Sequence, residues 1–148
     1  HRQELLDIYE TCCIENTELF EGIEDVLNEL NIKKIKWGII TNKPRRFAEG
    51  IVQNKLEKFK TPFLICPDDV GQRKPEPDGL VHALKISNSI PTNSIYIGDH
   101  KIDITAGERA NMITGAAAYG YIPIGDNIGN WNSDYIFNEP NEIITLSK

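Results

Sequence analysis

Three short polar clusters place hydroxyl, ammonium and carboxylate groups where phosphate chemistry could use them. The first is Thr41-Asn42, directly after the apolar run Ile35-Lys36-Trp37-Gly38-Ile39-Ile40 and just before Pro44. A hydroxyl, successive backbone amides and a following helix N-terminus make a seat for phosphate oxygens. Taken alone, the same residues more often serve as a helix cap. The second cluster is Lys74 within Arg73-Lys74-Pro75-Glu76-Pro77. Pro75 biases Lys74 toward an extended backbone, so its ammonium sits on a stiff loop. There it would neutralise a phosphate or a buried carboxylate; a plain exposed loop lysine is the alternative. The third is Gly98-Asp99-His100-Lys101-Ile102-Asp103. Asp99 follows a strand end and Asp103 falls in the first turn of the next helix, so both carboxylates can face one crevice. Paired carboxylates of this kind hold Mg²⁺, which takes few protein oxygens and keeps its waters. Capping of the helix dipole is the competing use. His100 reads as exposed and receives no role.

These clusters need elements to hold them. Helical periodicity runs over residues 3–13 and over 21–30, where Ile23, Val26, Leu27 and Leu30 recur at helical spacing. The apolar run 35–40 reads as a buried strand, and Pro44 suits the first turn of a helix reaching Phe59. Phe63-Leu64-Ile65-Cys66 reads as a second strand, and the proline-rich stretch 67–77 as a loop. A helix over 78–86, a strand over 94–98, a helix over 101–111 and a strand over 113–117 follow. A strand over 134–137 and a terminal helix end the chain. Strands alternating with helices predict an α/β fold, a parallel sheet with helices on both faces. Ligands of such sheets bind beyond the carboxyl ends of the strands, where the three clusters fall.

Composition narrows the function classes. The 148 residues, 40% hydrophobic and 26% charged, suffice for one globular domain. A net charge of −6 disfavours nonspecific nucleic-acid binding, and no apolar run approaches the roughly 20 residues of a membrane helix. The charge is unevenly laid out: −8 over residues 1–30, +7 over 31–60 and −5 thereafter. The basic middle could steer an anion; solvated helix faces at Lys33, Lys34, Lys55, Lys58 and Lys60 are the simpler reading. Lys43, Arg45 and Arg46 leave the same choice open. Cys12, Cys13 and Cys66 form no disulfide framework, and Cys12 lies on an apolar helical stripe. A reducing, cytoplasmic setting is expected. The start at His1, with Met112 the single methionine, reads as that of a fragment.

The order of the clusters is more specific than any one of them. Trp37-Gly-Ile-Ile-Thr-Asn-Lys-Pro44, Lys74-Pro-Glu-Pro77 and Ile97-Gly-Asp-His-Lys-Ile-Asp103 together resemble the haloacid dehalogenase superfamily, in its phosphoglycolate phosphatase-like branch. The run from Cys66-Pro-Asp-Asp69 to Lys74, with Ala118-Tyr-Gly-Tyr-Ile122 and Trp131, is most similar to the N-acetylmuramic acid 6-phosphate phosphatases within it. The resemblance implies a Rossmann-like core and an Mg²⁺-dependent phosphatase of a small phosphorylated metabolite, working through an aspartyl-phosphate. Thr41 and the backbone at Asn42 would bind the phosphoryl group, Lys74 would offset charge, and Asp99 and Asp103 would serve the metal. Residues 1–18 resemble the end of a helical cap, and 19–148 the core.

The family's first motif, Asp-x-Asp-Gly-Thr, occurs nowhere in this sequence. The resemblance therefore implies a missing central strand between those at 35–40 and 94–98, and no activity for the chain alone. Two unpaired sheet edges would then be open to homodimerisation. A metal-free dehalogenase fits the paired carboxylates less well. A non-catalytic phosphate-binding or interaction domain keeping the fold is the alternative of another class.

Overall fold

The computed structural model describes residues 17–147. The expected helix over 3–13, Cys12 and Cys13, and most of the cap-like segment lie outside them. The first element is α1, Ile23–Ile32, whose Val26 is buried as the periodicity requires. β1 is confined to Ile39–Ile40, shorter than the apolar run that contains it. The helix end consumes the start of that run: Ile35 donates its N–H to Leu30 and Lys34 turns at φ 57°.

Pro44 caps α2, Arg45–Lys55, from outside instead of occupying its first turn. The helix stops before Leu56, and a separate 3₁₀ turn, Glu57–Phe59, buries Phe59. β2 is Leu64–Ile65 and α3 is Asp78–Ser87, with a cis Lys74–Pro75 peptide in the loop between them. β3 (Ile95–Gly98), α4 (Lys101–Arg109), β4 (Ile113–Ala117) and β5 (Tyr135–Phe137) follow as expected to within two residues. The terminal element, Pro140–Ser147, is 3₁₀ rather than α.

All strand pairs are parallel, but they form two sheets: β1 with β2, and β3-β4-β5 in that order. Helices pack against both. Leu80 of α3, Ala106 of α4 and Ala110 just beyond its end enclose one apolar cluster with Ile40, Tyr96 and Met112. Ile104, Ala116 and Trp131 form another, with Ile122 and Ile128 against it.

β1 and β3 are not paired with each other. Their facing edges border a largely apolar cavity of about 630 Å³, walled by Val26, Leu27, Leu30, Ile39, Ile95 and Ile97 among others. A further cavity of about 440 Å³ opens between Trp37, Ile40, Ser94 and Tyr96. Hydrogen-bond alternation specifies what the edges offer. Ile39 and Thr41 donate to β2, which turns the N–H and C=O of Ile40 away from it. Ile113 donates to Ser94, which turns the backbone groups of Ile95 and Ile97 away from β4. The gap is thus a slot lined by strand edges on both sides.

The uneven charge resolves locally. Lys55 pairs with Glu18 at 3.5 Å, Lys58 with Glu24 at 3.1 Å and Lys33 with Glu29 at 3.3 Å. The basic stretch answers the acidic one, so these three lysines hold surface partners. Among the described residues, no helix is long and apolar enough to cross a membrane.

The ladder alternation predicts an exchange pattern for the 148-residue chain. The amides of Ile40, Ile95 and Ile97 exchange with deuterium faster than those of Ile39, Thr41 and Tyr96. Equal protection on both sets, read by NMR, would show the slot to be already filled or closed.

Candidate active site

The site begins where β1 ends. The Thr41 N–H continues the ladder to Ile65 (3.0 Å), and its hydroxyl oxygen accepts the Lys43 N–H at 3.0 Å. Lys43's amide is therefore engaged within the turn that follows β1. The Asn42 side chain is committed elsewhere. Its Nδ2 donates to the Lys74 carbonyl and its Oδ1 accepts the Lys74 N–H, both at 3.0 Å. Those two bonds pin the Lys-Pro loop to the exit of β1.

Lys74 reaches inward from that anchor. Its Nζ lies 2.6 Å from Asp103 Oδ1 and 2.9 Å from the Tyr96 hydroxyl oxygen. The pair is nearly buried, with side chains 10% and 7% exposed for Lys74 and Asp103. Burial alone lowers the affinity of Lys74 for its proton, but Tyr96 and Asp103 outweigh it and hold its pKa above the ordinary lysine value. Tyr96 in turn donates to the Ile40 carbonyl at 3.1 Å. Burial pushes its phenol up to about 12, Lys74 opposing, so the hydroxyl keeps its proton through the neutral range.

Asp103 is also tied by its second oxygen, which accepts the His100 N–H at 3.1 Å while the Asp103 N–H donates to the His100 carbonyl. This reciprocal pair starts α4. Asp99 stands beside it, with Oδ1 2.6 Å from His100 Nδ1 and Oδ2 accepting the Tyr121 N–H at 2.9 Å. Asp99, His100 and Asp103 present ligand atoms within 4.8 Å of one another. Two carboxylates of this kind suit a hard divalent cation. Asp99 is the more accessible, whereas Asp103 has the Lys74 ammonium against one oxygen.

Glycines make room for both carboxylates. A Cβ at Gly98 would overlap the Asp103 side chain, and one at Gly120 would overlap that of Asp99. Arg45 fastens the neighbouring loops: its guanidinium holds Asp69 and the Leu64 carbonyl, and its N–H donates to Asp68. Asp69 also accepts the Cys66 N–H at 2.8 Å. The Arg45 hydrogen bond draws the Asp69 pKa below the usual carboxylate value, against some desolvation. Arg45 is thereby a loop clasp and not an open anion ligand.

The structure brings Thr41, Asn42, Lys74, Asp99 and Asp103 to the carboxyl ends of β1 and β3. The sequence reading missed Tyr96, Gly120 and the engagement of His100 with Asp99. An aromatic in the middle of an apolar strand carried no signal of its hydroxyl's partners. The Asp99–Gly120 approach joins segments that no local pattern connects.

Parallel strands with polar groups gathered at their carboxyl ends put the chain among the Rossmann-like α/β folds. Within that class it belongs to the haloacid dehalogenase-like hydrolase family, whose model matches residues 1–117. The N-acetylmuramic acid 6-phosphate phosphatase of Pseudomonas putida is 39% identical over 142 residues, covering 96% of this chain and 64% of that protein. A phosphoglycolate phosphatase of Xanthomonas campestris is 32% identical over 140 residues, covering 95% of the chain and 63% of the relative. The chain thus spans just under two thirds of the length of these relatives. A crystal structure from Lactobacillus plantarum, of a protein provisionally assigned as a phosphoglycolate phosphatase, superposes with a TM-score of 0.84 at 28% identity. That match covers 95% of this chain and 65% of the other.

Two outcomes follow for stability. Gly98→Ala forces Asp103 aside and costs about 1–3 kcal/mol by denaturant unfolding, as overpacking does; an unchanged midpoint contradicts the close approach. Tyr96 has a folded pKa above its unfolded value of 10.0. Its contribution is complete below pH 10 and is lost as pH rises toward about 12, at up to about 1.4 kcal/mol per pH unit. The stability advantage over Tyr96→Phe should shrink across that window; a constant difference would show that the phenol does not titrate there.

Proposed function

We propose that this chain supplies the phosphate-binding and charge-neutralising part of an Mg²⁺-dependent phosphomonoesterase acting on a small phosphorylated metabolite. The observation that carries the reading is the buried Lys74–Asp103 pair at 2.6 Å, anchored through Asn42 to the strand end bearing Thr41. A fixed ammonium on a loop anchored to the strand end that carries Thr41 suits a transferring phosphoryl group, since its chemistry is mostly positioning and charge neutralisation. Thr41 O–H and the Asn42 N–H would hold phosphoryl oxygens, and Lys74 would offset their charge. Asp99 would be the principal Mg²⁺ ligand, with Asp103 beside it; bound Mg²⁺ would supply further neutralisation of the phosphate. The 39% identity to a curated N-acetylmuramic acid 6-phosphate phosphatase makes a phosphorylated amino sugar the first substrate to try.

The nucleophile would be an aspartate carried on a strand seated in the slot between β1 and β3. A carboxylate emerging at the slot's carboxyl end would lie between Thr41 and Asp99. Its oxygen would bond to phosphorus as the ester P–O bond breaks and the leaving alcohol takes a proton. Water would then cleave the acyl phosphate, releasing phosphate and restoring the carboxylate. The 148-residue chain, lacking Asp-x-Asp-Gly-Thr, would not turn over by itself. Its two open edges would favour a homodimer instead.

The test assays phosphate release with Mg²⁺ from N-acetylmuramic acid 6-phosphate, 2-phosphoglycolate and p-nitrophenyl phosphate. The complete protein, meaning this chain together with a strand bearing Asp-x-Asp-Gly-Thr, should turn over at least one, and Lys74→Ala should lower kcat by roughly 100-fold, the scale of losing one preorganised charge contact. The 148-residue chain should be inactive and dimeric by light scattering. Phosphate binding by the complete protein with no turnover would replace the enzyme reading with the non-catalytic one. Turnover by the 148-residue chain would remove the need for a strand in the slot.

A further inference from the structure

We infer that Tyr96 is a positioning residue that sets the distance between the Lys74 ammonium and the Thr41 phosphate seat; this rests on the phosphatase reading above. The Tyr96 hydroxyl does two jobs at one atom. Its oxygen accepts from Lys74 Nζ at 2.9 Å, and its proton goes to the Ile40 carbonyl at 3.1 Å. That carbonyl belongs to the peptide whose N–H is Thr41's, so the phenol ties the ammonium to the peptide carrying the seat. The tie crosses from β3 to β1, two strands with no ladder between them.

Lys74 is thus held at both ends to the same short segment. Asn42 fixes its backbone, and Tyr96 fixes its Nζ. An ammonium has three N–H donors. Asp103 and Tyr96 take two of them, which aims the third away from both. Asp103 alone would balance the charge but leave the side chain free to pivot about one bond. Tyr96 removes that freedom by holding Nζ at its hydroxyl oxygen. The Ile40 carbonyl has a second lone pair, so a strand entering the slot can share it without displacing the phenol.

The experiment uses the complete protein with p-nitrophenyl phosphate, Mg²⁺ and vanadate, comparing Tyr96→Phe, Lys74→Ala and the double variant. Loss of a misaligned charged contact should lower kcat about tenfold or more and weaken vanadate inhibition to match, with KM changed less than about threefold. In the Lys74→Ala background, removing the hydroxyl should weaken vanadate binding no further. Wild-type kcat and vanadate affinity in Tyr96→Phe would overturn the proposal, as would an equal penalty with and without Lys74. A measurement on the unsubstituted protein covers a variant that does not fold. The Lys74 Nζ protons should exchange slowly and show an NMR contact to the Tyr96 ring, and their absence would also overturn it. If the unsubstituted protein neither hydrolyses p-nitrophenyl phosphate nor binds vanadate, the phosphatase reading falls, and Tyr96's role with it. An active protein indifferent to Tyr96→Phe removes only the latter.

Discussion

Burying the Lys74–Asp103 pair is the constraint from which the rest of the site follows. Taking two charges out of water costs several kcal/mol each, and attraction compensates only when the remaining donors and acceptors are also met. Asp103 meets that condition by accepting the His100 N–H as α4 begins. Lys74 meets it through the Tyr96 hydroxyl. Both require the carboxylate to lie against the end of β3, which is sterically open only because residue 98 has no side chain. The loop bearing Lys74 must also stay in register with β1, and the Asn42 carboxamide does this with one donor and one acceptor. Strand end, helix start and loop are therefore set by one ion pair and its partners.

Electrostatics elsewhere serve cohesion. The basic stretch after residue 30 looks in one dimension like a surface for anions. In three dimensions Lys55 and Lys58 face Glu18 and Glu24, and Arg45 closes on Asp69. Partly exposed pairs of this kind contribute little energy individually. The Arg45 clasp differs in gathering Asp68, Asp69 and the Leu64 carbonyl, so the exits of β1 and β2 are held as a unit.

The alternation of elements was legible because each segment is short and carries a clear period or a clear break. Ile113–Ala117 forms a strand although only Ile113 and Thr114 are β-prone, because it pairs with β3 on one side and β5 on the other. Strand lengths were not legible: the run 35–40 is apolar throughout, yet only Ile39 and Ile40 find a partner strand. Pairing, not hydrophobicity, defines a strand's ends. The helix that seemed to extend to Phe59 breaks because Leu56 leaves helical geometry and a 3₁₀ turn buries Phe59 independently. Around the candidate site, Thr41, Lys74, Asp99 and Asp103 stood out because each sits in a short polar motif at a strand end or in the adjoining loop. Tyr96 and Gly120 stayed hidden because their roles depend on contacts to residues 22 and 21 positions away.

The Asn42 bridge has a consequence for the protein's chemical ageing. It works because one planar amide presents an N–H to the carbonyl and an oxygen to the N–H of the same facing residue, Lys74. Spontaneous deamidation replaces that nitrogen with a second oxygen. An aspartate there would still accept the Lys74 N–H but would turn a bare carboxylate oxygen toward the Lys74 carbonyl. Acceptor would face acceptor, and a new negative charge would sit at the exit of β1. A single hydrolysed amide would release the Lys-Pro loop from the strand that positions it.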